Sequence, residues 1–154
     1  MHGRVVTLEV IDARAMLDDA TRSRLDAMVA ALMPHLDARG EARVRLVDDD
    51  EMSRTHARTH ADPSTTDVIS LNLAEAPGVL DADLVVCADA ARRHAGDDPE
   101  PVAREILLYI LHGLLHCLGH DDLDRDSHAR MHALEDDLLT RAGIGRVYAP
   151  ECAP

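Results

Sequence analysis

The sequence predicts an α+β fold: a single layered domain with a mixed four-stranded sheet packed with about five helices. Three observations carry this. The chain has 154 residues, of which 46% are apolar, enough for one well-buried core. Short β-rich runs alternate with stretches whose apolar residues recur at helical spacing, in the order β-α-β-α-β-β-α-α-α. No linker or internal repeat divides the chain, so residues 1–154 read as one domain.

Each element has a local reason. Residues 5–11 are rich in Val and form the first strand. Residues 18–37 follow with Leu25, Met28, Val29, Leu32 and Leu36 on one helical face, with Asp18 or Thr21 as cap and Gly40 after the end. Residues 42–47 alternate Val44 and Leu46 against Arg43 and Arg45, the pattern of a second strand. Residues 48–60 are polar and read as a short helix followed by a loop, with a turn at Asp62 to Thr65. Residues 67–73 form the third strand, which Pro77 and Gly78 terminate. The apolar run 84–87 suits a buried fourth strand, and 89–95 a short helix. The strongest helix spans 101–118, with Pro101 near its first turn and Gly119 after its last apolar residue. A last amphipathic helix covers 126–141, with Met131, Leu134, Leu138 and Leu139 inward, and the tail after about 143 is expected to be partly extended.

Composition narrows the function. There is no Phe, Trp or Lys, so the core is aliphatic and all 16 basic residues are Arg. The net charge of −13 argues against a broad electrostatic grip on nucleic acid, although a local basic patch is compatible with it. Acidic runs at 48–51, 97–100, 121–126 and 135–137 read mostly as solvated surface. Cys87, Cys117 and Cys152 lack framework spacing and are expected to be reduced thiols of a cytoplasmic protein, the first two inert in the core. The first residues lack the apolar run of a signal peptide, and the apolar stretch 106–118 is too short to span a bilayer.

The chemistry concentrates at the end of the long helix. His112 and His116 are four residues apart, so both imidazoles share one helical face and can reach one divalent metal, zinc above others. Gly119 can take a positive φ, stop the helix and turn the chain back toward the same ion. Asp122 is favoured on reach as the third ligand, with His120 as the alternative and Asp121 nearby. A second pair at this spacing, His128 and His132, lies on a surface helix and reads as solvated. The pattern overlaps the H-E-x-x-H-x-x-G-x-x-H signature of zinc proteases, but Gly113 stands where their general-base glutamate would be. Peptide hydrolysis by that route is therefore disfavoured, and Gly113 implies close approach of backbone or substrate.

This segment resembles the YbeY family of bacterial endoribonucleases, whose hallmark is H-G-x-L-H-x-x-G-Y-D-H. His112, Gly113, Leu115, His116, Gly119 and Asp121 match it position by position. Thr66-Asp67-Val68-Ile69-Ser70 matches the family's T-D/N-V-L/I-S strand, and Asp83-Leu84-Val85-Val86 is similar to its G-D-I/L-x-I strand. Three departures stand at the site: Asp122 replaces the family's third metal histidine, His120 its tyrosine, and His60 its loop arginine, with Arg58 two residues earlier.

The resemblance implies a zinc-dependent endoribonuclease specific for single strands, acting in 3′-end maturation of small-subunit ribosomal RNA and in ribosome quality control. Its partners would be that RNA and ribosomal proteins or assembly factors. Arg54, Arg58, His56 and His60 make the cationic cluster expected to face the scissile phosphate, Arg58 and His60 as the catalytic candidates. Base-specific reading is not expected, because aromatic platforms are almost absent. Two other readings compete: a zinc hydrolase of another class, and a non-catalytic ribosome-assembly factor with a structural metal.

Overall fold

A computed structural model describes residues 5–60, 66–120 and 123–145; the side chain of His60 is not among what it describes. The elements are β1 (Val6–Ile11), α1 (Asp19–Leu32), β2 (Arg39–Val47), α2 (Asp49–His60), β3 (Val68–Asn72), β4 (Val79–Cys87), α3 (Ala88–Ala95), α4 (Pro99–Cys117) and α5 (Arg125–Arg141). The strands form one sheet in the order β1-β2-β4-β3. The β1–β2 and β2–β4 pairs are parallel and β3 runs antiparallel to β4, so the sheet is mixed, as the sequence predicts.

Strand alternation sets which face is covered. Val44, Leu46, Leu80, Ala82, Leu84 and Val86 are buried on one face. Their neighbours Arg43, Asp81 and Asp83 point the other way, and Arg43 donates to Asp81 and Asp83 at 2.7 Å and to Glu41 at 2.9 Å. These exposed pairs hold the Arg43 guanidinium well above its ordinary pKa, and in water such pairs add little to stability. They also explain why β4 begins at Val79 rather than at residue 84. Asp81 and Asp83 break the apolar run but occupy the outward positions of a regular strand.

Two helix ends differ from expectation for local reasons. Asp18 caps α1 by accepting from the Thr21 amide at 2.8 Å. The helix ends at Leu32 instead of 37, because Pro34 has no amide hydrogen to continue the ladder. A single 3-10 turn, Met33–His35, replaces the last turn. At the other helix, Pro99 takes the first position of α4, so it starts two residues before Pro101. No helix among the described residues is long and apolar enough to cross a membrane.

The sheet backbone is closely packed at Gly40. Its φ is +120°, and a Cβ there would stand 2.0 Å from the Leu80 carbonyl oxygen. Gly40→Ala is expected to lower the unfolding free energy by at least about 2 kcal/mol, through backbone strain and the forced separation of β2 from β4. A urea denaturation midpoint equal to that of the wild type would refute this.

Candidate metal centre and adjoining cleft

Helix α4 is buried along almost its whole length, with Ile106, Leu107, Ile110, Leu111 and Leu114 fully enclosed. Gly113 lets it press onto the sheet: a Cβ there would lie 2.8 Å from Leu84 Cδ2 and 3.2 Å from Val68 Cγ2. The close approach inferred for Gly113 is therefore to strands β4 and β3. Residues 112 and 116 are then carried on the flank of the helix, half-buried.

The helix stops as the sequence predicts. Gly119 has φ +98°; its amide donates to the His116 carbonyl at 3.0 Å and the His120 amide to the Leu115 carbonyl at 3.0 Å. These two bonds make a Schellman cap. A second anchor was not legible in the sequence. The Asn72 amide donates to the carbonyls of Val79 at 3.1 Å and Cys117 at 3.2 Å, while its oxygen accepts from the amides of Ala74 at 3.1 Å and Asp81 at 2.9 Å. One side chain thus ties the end of α4 to the β3–β4 turn.

Within this frame the His112 and His116 Nε2 atoms stand 3.0 Å apart, with the rings nearly perpendicular. Behind them, His112 Nδ1 lies 3.0 Å from Glu135 Oε2, and the Glu135 side chain is fully buried. A carboxylate oxygen accepts, so the proton sits on Nδ1 and the Nε2 lone pair is left facing His116. Two imidazole nitrogens at this separation can both contact one ion at about 2.0–2.1 Å. A carboxylate behind a histidine fixes its tautomer and raises the donor strength of its other nitrogen.

Glu135 corrects the reading of 135–137 as solvated surface. It falls on the buried face of α5 with Met131, Leu138 and Leu139. The helix is set in place by a reciprocal cap: Asp124 accepts from the Ser127 amide at 2.7 Å, and Ser127 Oγ accepts from the Asp124 amide at 3.1 Å. The Ser127 bonds hold the Asp124 carboxyl below its ordinary pKa.

The other candidate residues are distributed as follows. Asp122 and Asp121 lie outside the described residues. His120 is exposed and lines grooves shared with Leu118 and Arg141 and with Arg130, not the cleft that His112 lines. Arg58 is exposed near the end of α2 and donates to Thr55 Oγ1 at 3.4 Å; His60 closes that helix. Cys87 is fully buried, and burial, with Asp49 adding to it, pushes its thiol up to about 11. Burial also raises the Cys117 thiol. Cys87 belongs to the core, and Cys117 is half-buried against it.

Beside His112 opens a cleft of about 400 Å³, running between α4, the start of β3, the end of α3 and the outer side of α5. Asp67, His94, Glu105, Tyr109, His128 and His132 line it. The second histidine pair, read from sequence as solvated, therefore borders this cleft; its rings are 4.2 Å apart.

Fold and site together define a one-sheet α+β protein whose buried helix presents a paired-imidazole donor set backed by a carboxylate. The sequence profile of the family described as Endoribonuclease YbeY matches residues 9–143, and the chain belongs to that family. It is 29% identical over 153 residues to the endoribonuclease YbeY of Macrococcus caseolyticus, covering 92% of this chain and 99% of that one. To the Chromohalobacter salexigens protein of the same name it is 32% identical over 149 residues, covering 90% and 97%. The fold is also similar to the solution structure of TM1509 from Thermotoga maritima, with a TM-score of 0.52, 14% identity, and coverage of 96% and 99%.

Asn72 gives this geometry a direct check. Asn72→Ala removes four bonds at once and is expected to cost about 1–3 kcal/mol by chemical denaturation. The ring-proton resonances of His112 and His116 should shift with it, because the end of α4 loses its tie to the turn. Unchanged stability and unchanged resonances would show that the tie is dispensable.

Proposed function

We propose that this protein is a metal-dependent endoribonuclease specific for single strands, acting in 3′-end maturation of small-subunit ribosomal RNA and in ribosome quality control. The observation that carries the reading is the His112–His116 pair, its nitrogens converged at 3.0 Å and backed by buried Glu135, in a chain of the YbeY family. His112, His116 and Asp122 would hold one zinc ion. Bound there, zinc supplies Lewis-acid stabilisation of charge on a phosphate oxygen and lowers the pKa of coordinated water.

The remaining work falls to the chain's own residues. Glu135 keeps the His112 proton on Nδ1 and fixes the ring. Arg58 and His60, at the end of α2, are the candidate cations for the scissile phosphate. Gly113 provides no carboxylate base, and Leu84 and Val68 already fill the space where a side chain would start, which disfavours a zinc peptidase. The net charge of −13 favours delivery of the RNA by ribosomal proteins or assembly factors over capture from solution. Cytoplasmic action follows from the same reading.

The decisive experiment is cleavage of a single-stranded RNA by purified protein. Activity is expected to vanish in His116→Ala and on chelation, and to return when zinc is restored to the wild type. Equal cleavage by metal-free and metal-loaded protein would overturn the proposal. Glu135→Gln is expected to weaken zinc by about 10–100-fold, read by competition with a chromophoric chelator.

A further inference from the structure

The cleft beside His112 contains chemistry that phosphate hydrolysis does not use. Its described lining brings two carboxylates, Asp67 and Glu105, and no arginine. A phosphate would be repelled there. A flat group with a polar edge would not. His128 and His132 offer two imidazole rings on one side, tilted 47° to each other, with His94 nearby from the end of α3. Imidazoles are among the side chains on which unstacked RNA bases lie.

The other side is an edge-reading surface. Tyr109 is only 6% exposed, and its hydroxyl is enclosed without a hydrogen-bond partner at bonding geometry among the described residues. Burial first, and then the neighbouring Glu105 carboxylate, raise its pKa, so the hydroxyl keeps its proton. Glu105 is an acceptor close by, but that bond is not closed, so the buried hydroxyl is left under-satisfied. Glu105 and Tyr109 are seven and three residues before His112 on α4, so this surface lies about 5–10 Å along the helix from His112.

We propose that this cleft is a nucleobase subsite, and that the base it takes is a guanine flanking the cleaved linkage of a single-stranded RNA. The base lies against His128 and His132. Its N1–H and 2-amino group donate to the Glu105 carboxylate, and its O6 accepts from the Tyr109 hydroxyl. Guanine alone among the four standard bases presents two adjacent donors beside an acceptor on its pairing edge, the complement of a carboxylate beside a hydroxyl. The proposal rests on the RNA-cleavage reading of the neighbouring site for the source of the base.

Two measurements separate this proposal from that reading. Guanosine, which carries no phosphate, is titrated into the full chain while the ring protons of His128 and His132 are followed by NMR. Guanosine is expected to shift them, with adenosine, cytidine and uridine binding at least about fivefold more weakly. The His128→Ala/His132→Ala variant should bind guanosine about fivefold or more weakly, and Glu105→Gln should erase the preference for it. No shift with guanosine, or equal response to all four nucleosides, overturns the subsite. In parallel, cut sites are mapped on a single-stranded RNA containing all four bases. Cuts beside guanine that lose this preference in the double histidine variant support the subsite. Cutting without base preference in the wild type overturns it and leaves the ribonuclease reading standing. Absence of any cutting overturns the ribonuclease reading, and the nucleoside titration still decides the subsite.

Discussion

The contact between Gly113 and the sheet governs the rest of the site. With no side chain at 113, helix α4 settles onto Leu84 and Val68, and a methyl group would already be inside their contact distance. That approach fixes the height and rotation of the helix over the β3–β4 edge. Rotation decides everything downstream, because residues 112 and 116 share a face about 60–100° round the helix from 113. Pressed down at 113, the helix carries both imidazoles on its flank, where α5 can meet them. A glycine here costs about 1 kcal/mol of helix propensity, and the burial around α4 offsets that cost.

Two further ties convert this placement into a defined geometry. Asn72 and the Schellman cap at Gly119 fix where α4 ends, so His116 sits in the last regular turn. Glu135 fixes the other histidine from outside the helix. A fully buried carboxylate is unfavourable unless charge or hydrogen bonds compensate it. The His112 Nδ1–H supplies that compensation, and in doing so commits one ring nitrogen while the other faces His116. Stability and donor chemistry therefore depend on the same bond.

The legible parts of the sequence were those written in local pattern. The order of the elements, the spacing of His112 and His116, and the stop at Gly119 all follow from periodicity or backbone conformation within a few residues. The missed parts depend on partners distant in the chain. Asp81 and Asp83 hid half of β4 because their role as outward strand positions is set by Arg43 across the sheet. Glu135 looks like one of three surface acids, yet it shares the buried helical face of Met131, Leu138 and Leu139, and its partner His112 is 23 residues away. Asn72 carries four bonds that exist only when β3, β4 and α4 are assembled. At Pro34 the signal is local: the missing amide hydrogen ends the helix even though the apolar periodicity continues to Leu36.

The electrostatic character of the molecule bears on how any RNA is recognised. Affinity that comes from releasing counterions needs many phosphate contacts from cations. This chain has a large negative charge, and the described lining of the cleft beside the histidine pair holds imidazoles, carboxylates and a hydroxyl rather than guanidinium groups. Such a surface gains little from the field of a polyanion. A surface of this composition suits discrimination by shape, stacking and hydrogen bonds, which act only at contact. Weak long-range capture and specific short-range fit are consistent with an RNA presented by a larger assembly, in which the effective concentration is set by the partner and not by the enzyme's own charge.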